Sequence, residues 1–284
     1  MLPSTVRIVA DQVLNNSFRG THVRIIPNKL VLLASVISKH ENSKWEEPKR
    51  GYSRKDAIFA ELIANSINYC YWYGKGDIRP NGANAALMYT LLYSSGYVTN
   101  WSADIFDHFY GSLSTHRFPM LEERYGHLMD IHRKYNECQD FVDFVITTSS
   151  IHPVLQALVK LLPGYGADIF LKRAQLFIMQ LCRKKLIRFE DSDELTVPAD
   201  YQVPRVLRHF GCLEYGDQLE NAINNHELIP RGSIQEVEIR AASIKAVDTL
   251  AHYTHMDTMH IDNFLWQSRG ICSNPLHLTI TTDY

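Results

Sequence analysis

The sequence predicts a mainly α protein, a single helical domain over residues 1–284 with at most a small β ribbon. Three observations lead there. Apolar residues recur at helical spacing through most of the chain, and strand-like alternation is confined to short stretches. Gly and Pro mark the joints, notably at Gly74 to Gly82, Pro163-Gly164, Pro198, Gly211 and Pro230-Arg231-Gly232. No fixed-period repeat, low-complexity tract or long linker divides the 284 residues, which are enough to bury a sizeable core.

In chain order, helical periodicity falls around 4–15, 28–39, 57–72, 82–93, 102–114, 119–135, 151–162, 168–186, 204–210, 217–226, 234–255 and 259–268. Ser53-Arg54-Lys55-Asp56 has the form of a capping box ahead of Ala57 to Trp72. Apolar residues recur there at 58, 62, 69 and 72 and again at 59, 63 and 67, a face wide enough to predict a largely buried helix. Thr21 to Ile26 alternates as a strand does, and Leu186 to Phe189 with Leu195 to Val197 suits the small ribbon.

Hydrophobic residues make up 45% and charged residues 21%, which rules out bulk disorder. A net charge of −2 provides no global basic field for nucleic acid. The longest apolar run, Leu30 to Ile37, falls far short of the roughly 20 residues of a membrane span, and Arg7 leads into mixed sequence rather than a signal peptide's apolar stretch. Cys70, Cys138, Cys182, Cys212 and Cys272 are scattered with no C-x-x-C pair, as reduced thiols in a cytoplasmic protein are. His252, His255 and His260 crowd one region, but His252 and His255 have no third ligand at metal spacing, so no metal is expected. P-loop, G-x-G-x-x-G and G-x-S-x-G patterns are absent.

Three places offer chemistry. Lys172 falls on the apolar stripe with Ile169, Leu176 and Met179, while Arg173, Gln180 and Lys184 form a separate polar strip. Such a lysine either snorkels from the core edge or sits in a pocket with an anionic partner. Asp200 precedes a short helix opened near Pro204 and closed by Gly211. It is either that helix's cap or a carboxylate projecting into a cleft beside Tyr201. Glu236 and Arg240 open the segment 234–255 at i,i+4 spacing, which suits a surface pair.

Phe170-Leu171-Lys172-Arg173-Ala174-Gln175, Ala199-Asp200-Tyr201-Gln202-Val203-Pro204 and Gln235-Glu236-Val237-Glu238-Ile239-Arg240-Ala241 occur in the order seen in queuosine salvage proteins, the queuosine 5′-phosphate N-glycosylases/hydrolases. Ile67 to Trp72, Leu121 to Arg124, Asp262 to Trp266 and the tail from Pro275 to Tyr284 extend the resemblance from about residue 20 to the C-terminus. The resemblance implies a fold similar to helix–hairpin–helix DNA glycosylases. It also implies cleavage of queuosine 5′-monophosphate to queuine and ribose 5-phosphate, with no metal or cofactor. The partner implied is a small molecule, rather than a nucleic-acid duplex or a membrane. The family's catalytic Asp and Lys fall on Asp200 and Lys172, and a base-binding Asp on Asp262. Asn68, Glu236 and Arg240 join the substrate-binding set through the matched motifs. The chain departs from the family pattern at Asn65, where Asp is usual, and at Arg205, where Gln is common. A family His falls in a stretch that holds His40, Lys44 and Trp45.

Breaking an N-glycosidic bond builds positive charge on ribose C1′ as the base leaves. A carboxylate there stabilises the charge, attacks the carbon or orients a water, and a nearby cation such as Lys172 is expected to keep its pKa low. Queuine is a 7-deazaguanine, so protonation at N7 is not available to the leaving base. Stacking must help instead, and Tyr69, Tyr71, Trp72, Tyr201 and Trp266 are the candidates, with Asp262 suited to the cationic amine of queuine. Two alternatives remain: a DNA or RNA base glycosylase, suggested by the hairpin-like stretch Val203 to Gly211, and a non-catalytic queuine-binding protein.

Overall fold

The computed structural model describes residues 3–16, 22–40, 51–74 and 77–284. The helices are α1 (Pro3–Asn16), α2 (Pro27–Ile37), α3 (Arg54–Ser66), α4 (Ala85–Ser95), α5 (Ala103–Thr115), α6 (Leu121–Arg133) and α7 (Tyr135–Thr147). They continue as α8 (Ile151–Leu161), α9 (Lys172–Arg183), α10 (Gln202–His209), α11 (Asp217–Asn224), α12 (Ile234–Thr254) and α13 (Thr258–Ser268). The described strands form two antiparallel ribbons: β1 (Val23–Ile25) with β4 (Leu213–Tyr215), and β2 (Trp72–Gly74) with β3 (Asp77–Ile78).

Helix α3 is the hub of one group, packing against α4, α6, α7 and α9, and α12 of another, packing against α1, α2, α10 and α13. Every residue of α3 from Ala57 to Ser66 is buried. The capping box forms: Ser53 Oγ accepts from the Asp56 amide at 3.1 Å, and the Asp56 carboxylate accepts from the Ser53 amide at 3.2 Å.

The helix stops at Ser66, six residues before its expected end at Trp72. Two buried guanidiniums take the carbonyls that further turns would need. Arg173 donates to Ser66 O, and Arg124 to Ile67 O, to Tyr69 O at 2.6 Å and to Cys70 O at 2.7 Å. The freed segment turns through Cys70 (φ 31°) and turns Asn68 and Tyr71 toward a cavity.

Two other expectations are corrected. Residues 119–135 hold a helix that ends at Arg133, and α7 begins two residues on; Cys138, Phe141, Val142 and Val145 bury one stripe of it. Leu186–Phe189 and Leu195–Val197 form no ribbon, because the Gln175 side chain takes the place of a ladder: its Oε1 accepts from the Thr196 amide and its Nε2 donates to Thr196 Oγ1, both at 2.8 Å. The strand within Thr21 to Ile26 does form, against a partner, β4, that lies 188 residues or more away in sequence and was not foreseen.

Candidate active site

A cavity of about 530 Å³ opens where the segment after α3 meets α4, one side of α9 along its length, the start of α10, and α13. Six of the ten candidate residues line it: Asn68, Lys172, Asp200, Tyr201, Asp262 and Trp266.

Lys172 does not snorkel. It is the first residue of α9, 3% exposed, and its Nζ donates to Asn68 O at 3.0 Å. Leu171 before it takes a left-handed conformation (φ 52°), and the helix start is held by Asp168, whose Oδ2 accepts the Lys172 amide at 2.8 Å and Oδ1 the Phe170 amide at 3.1 Å. Burial lowers the Lys172 pKa to about 8, against the pull of the Asp200 charge.

Asp200 is both the cap and the cleft carboxylate. Its Oδ1 accepts the amides of Gln202 at 2.7 Å and Val203 at 3.2 Å, opening α10. Its Oδ2 accepts no hydrogen bond among the described residues, and the side chain keeps accessible surface within the cavity. Burial raises its pKa above the ordinary carboxylate value despite Lys172 and the two amides. The expectation that a cation holds it low is therefore overturned: Lys172 spends its hydrogen bond on Asn68 O, and desolvation wins.

The far wall is paired internally. Asp262 Oδ2 accepts from Arg183 Nη2 at 2.5 Å. Lys184 binds the fully buried Glu61 at 2.6 Å, and the Tyr89 hydroxyl donates to the same carboxylate at 2.6 Å. These partners were missed, although Tyr89 and Tyr93 stand at i,i+4 on α4 and Gln180 and Lys184 on a strip that does face the cavity. Arg173, placed on that strip by helical spacing, is instead buried and bonded to the Ser66 and Gly164 carbonyls.

Four expected substrate contacts lie behind the wall. Tyr69 is sandwiched by Arg124 and Arg173, with its hydroxyl pushed up to about 12 by burial. Trp72 packs edge-on against Tyr201 at 4.8 Å, one layer back from the cavity. Glu236 and Arg240 do pair, at 3.3 Å, but in the interior. Arg240 also binds Asp168 at 2.6 Å and Ala199 O at 2.9 Å, so a single guanidinium ties the loop before Lys172 to the residue before Asp200. None of the four lines the cavity.

Among the described residues, His152, Asp191 and Glu194 bring three possible metal ligands together. They lie outside the cavity and are engaged: His152 meets Glu194 at 2.6 Å, and Asp191 accepts the Ile151 amide at 2.8 Å.

Residues 83–280 match the family model described as queuosine salvage protein. The chain belongs to that family. A Schizosaccharomyces pombe queuosine 5′-phosphate N-glycosylase/hydrolase is 29% identical over 292 residues, covering 85% of this chain and 82% of that protein. A Dictyostelium discoideum protein of the same name is 25% identical over 81% of each chain. One from Sphaerobacter thermophilus is 40% identical over 127 residues, 40% of this chain and 39% of that protein. Among solved structures, an 8-oxoguanine DNA glycosylase from Pyrobaculum aerophilum gives a TM-score of 0.44 at 15% identity, covering 94% of this chain and 88% of that one.

The two departures from the salvage-family pattern sit off the cavity. Asn65 donates to Glu61 O at 2.9 Å, beneath the wall. Arg205 turns to the C-terminal segment, donating to Asn274 O and Cys272 O at 2.6 Å each. His40 packs edge-on against Phe264 at 5.1 Å, while Lys44 and Trp45 lie outside the described residues.

Proposed function

We propose that this queuosine salvage protein hydrolyses the N-glycosidic bond of queuosine 5′-monophosphate, releasing queuine and ribose 5-phosphate for reuse in tRNA modification. The observation that carries the reading is the separated pair in the cavity: a carboxylate with one oxygen uncommitted, Asp200, and a buried ammonium, Lys172, that does not bond to it. Membership of the family and the shared name of the relatives support the reaction.

As the C1′–N bond breaks, its electrons leave with the base and Asp200 stabilises the positive charge on the ribose. One water is consumed; its oxygen ends on C1′ and a proton on the glycosidic nitrogen of queuine. Tyr201 and Trp266 offer ring faces and edges to the base, and Asp262, fixed by Arg183, a carboxylate to the amine of queuine. Arg240 and Asp168 hold Lys172 and Asp200 in register.

The same reading takes residues 1–284 as one domain, supported by a continuous apolar core from Val6 to Tyr284, and places it in the cytoplasm, supported by five free cysteines. Among the described residues no helix is long and apolar enough to cross a membrane. The duplex-gripping alternative loses its motif: Val203, Val206 and Leu207 are buried, and Arg208 is paired with Glu220 at 2.5 Å. Incubating the purified protein with queuosine 5′-monophosphate and separating the products by chromatography tests the function. Free queuine is expected; an intact nucleotide after prolonged incubation would overturn the reading.

A further inference from the structure

Four cationic side chains line the cavity: Lys172, Arg183, Lys184 and Arg269. Three answer to the protein itself. Arg183 is held by Asp262, Lys184 by Glu61, and Lys172 by the Asn68 carbonyl within the field of Asp200. Arg269 differs. Its Nη1 donates to Trp266 O at 2.6 Å and its guanidinium lies 4.1 Å over the Trp266 ring, but no carboxylate among the described residues pairs with it.

The charged group that acts on Arg269 is a second guanidinium, that of Arg79, which lines the adjoining cleft together with Gln202, a residue that cleft shares with the cavity. Burial and this like charge hold the Arg269 pKa below its ordinary value. Two guanidiniums beside each other repel, and a dianion between them turns that repulsion into attraction. Each presents a planar fork suited to phosphate oxygens, and the Trp266 contact fixes the plane of one of them in advance. Arg269 lines the same cavity as Tyr201 and Asp200, so an anion held there stays within reach of a ribose whose C1′ faces Asp200. Arg173, the other arginine near Lys172, is excluded as a phosphate donor because it is spent on the Ser66 and Gly164 carbonyls.

We propose that Arg269, assisted by Arg79, binds the 5′-phosphate of the substrate at the cavity mouth and determines the preference for nucleotide over nucleoside. This rests on the reading that the Asp200 site cleaves a nucleotide. Arg269 is partly exposed, so its truncation spares the core.

The test compares wild type, Arg269→Ala, Arg269→Lys and Arg79→Ala on queuosine and its 5′-monophosphate, with ribose 5-phosphate binding measured by calorimetry. For Arg269→Ala, kcat/KM on the nucleotide is expected to fall about 30-fold or more, at least ten times the fall on the nucleoside. Ribose 5-phosphate affinity should drop in parallel, Arg79→Ala should show a smaller loss of the same kind, and Arg269→Lys should recover part of it. Equal losses on the two substrates, or no loss on either, would overturn the proposal. If wild type cleaves neither substrate, the functional reading fails by itself. The clamp then stands when ribose 5-phosphate binds wild type and not Arg269→Ala, and falls when it binds both alike or neither.

Discussion

The loops before α9 and α10 each place an aspartate at the start of a helix, each accepting two backbone amides, yet the two carboxylates are driven in opposite directions. Burial pushes both up. For Asp168 the charge and hydrogen bond of Arg240, in contact at 2.6 Å, outweigh burial and hold its pKa below the ordinary value. Asp200 has only the amides and a lysine bonded elsewhere, and it ends above that value. A contacting guanidinium satisfies a buried carboxylate and makes it structural. Holding the cation on a backbone carbonyl instead leaves charge available to a substrate. The molecule uses the first loop to set the geometry of the second, because Arg240 also grips Ala199 O.

The largest effect expected is on Asp200. Asp200→Asn keeps the shape of the side chain and removes the charge, so turnover should fall by roughly 1,000-fold, about 4 kcal/mol, while queuine binding stays measurable. Retention of more than about a tenth of the wild-type rate would remove Asp200 from the chemistry.

Asp168→Asn should act on stability instead, costing about 3 kcal/mol in denaturant unfolding because the buried Arg240 loses its closest ion-pair partner and keeps only the longer contact with Glu236. A loss under about 1 kcal/mol would contradict the contrast drawn between the loops. The sign with pH follows from linkage. The folded pKa of Asp168 lies below its unfolded value, so the unfolded chain binds the proton first. The ion pair contributes fully above the ordinary carboxylate range and its contribution is lost as the pH falls through the depressed value.

A smaller effect is expected in the pH profile of kcat/KM. On the proposed mechanism Asp200 works ionised and Lys172 protonated, so the acid limb should lie above the usual carboxylate range and the alkaline limb near pH 8. Lys172→Met should lower the rate and abolish the alkaline limb; persistence of that limb in the variant would assign it to another group. The smallest effect expected is that of metals: EDTA and added zinc should leave the rate unchanged, and activity lost to chelator and restored by a metal would contradict a carboxylate-driven cleavage.

The contrast between the loops also marks what the sequence could tell. Local signals were legible: the capping box at Ser53 and the buried face of α3 form as expected, and the Lys172 and Asp200 motifs come together on one cavity. Features decided by distant partners were not. Nothing in Phe170 to Gln175 reveals that Arg173 turns inward to cap α3, because its acceptors come from residues 66 and 164. Tyr69 and Trp72 carry the same apolar and polar character as Tyr71 and Tyr201, and only the turn at Cys70 and the packing on Arg124 decide which rings face the cavity. Helical spacing put Glu236 and Arg240 together correctly, but their burial depends on Asp168 and Ala199, which arrive from other loops.

The central claim is that Asp200 and the withheld Lys172 work as one reacting unit, and a double-mutant comparison of kcat on queuosine 5′-monophosphate tests it most directly. Residues acting as a unit are grossly non-additive. The double variant Asp200→Asn with Lys172→Met is therefore predicted to turn over no more than about threefold slower than Asp200→Asn alone, although Lys172→Met by itself costs far more than that in the wild-type background. Losses that multiply in the double variant would show two independent groups and contradict the account.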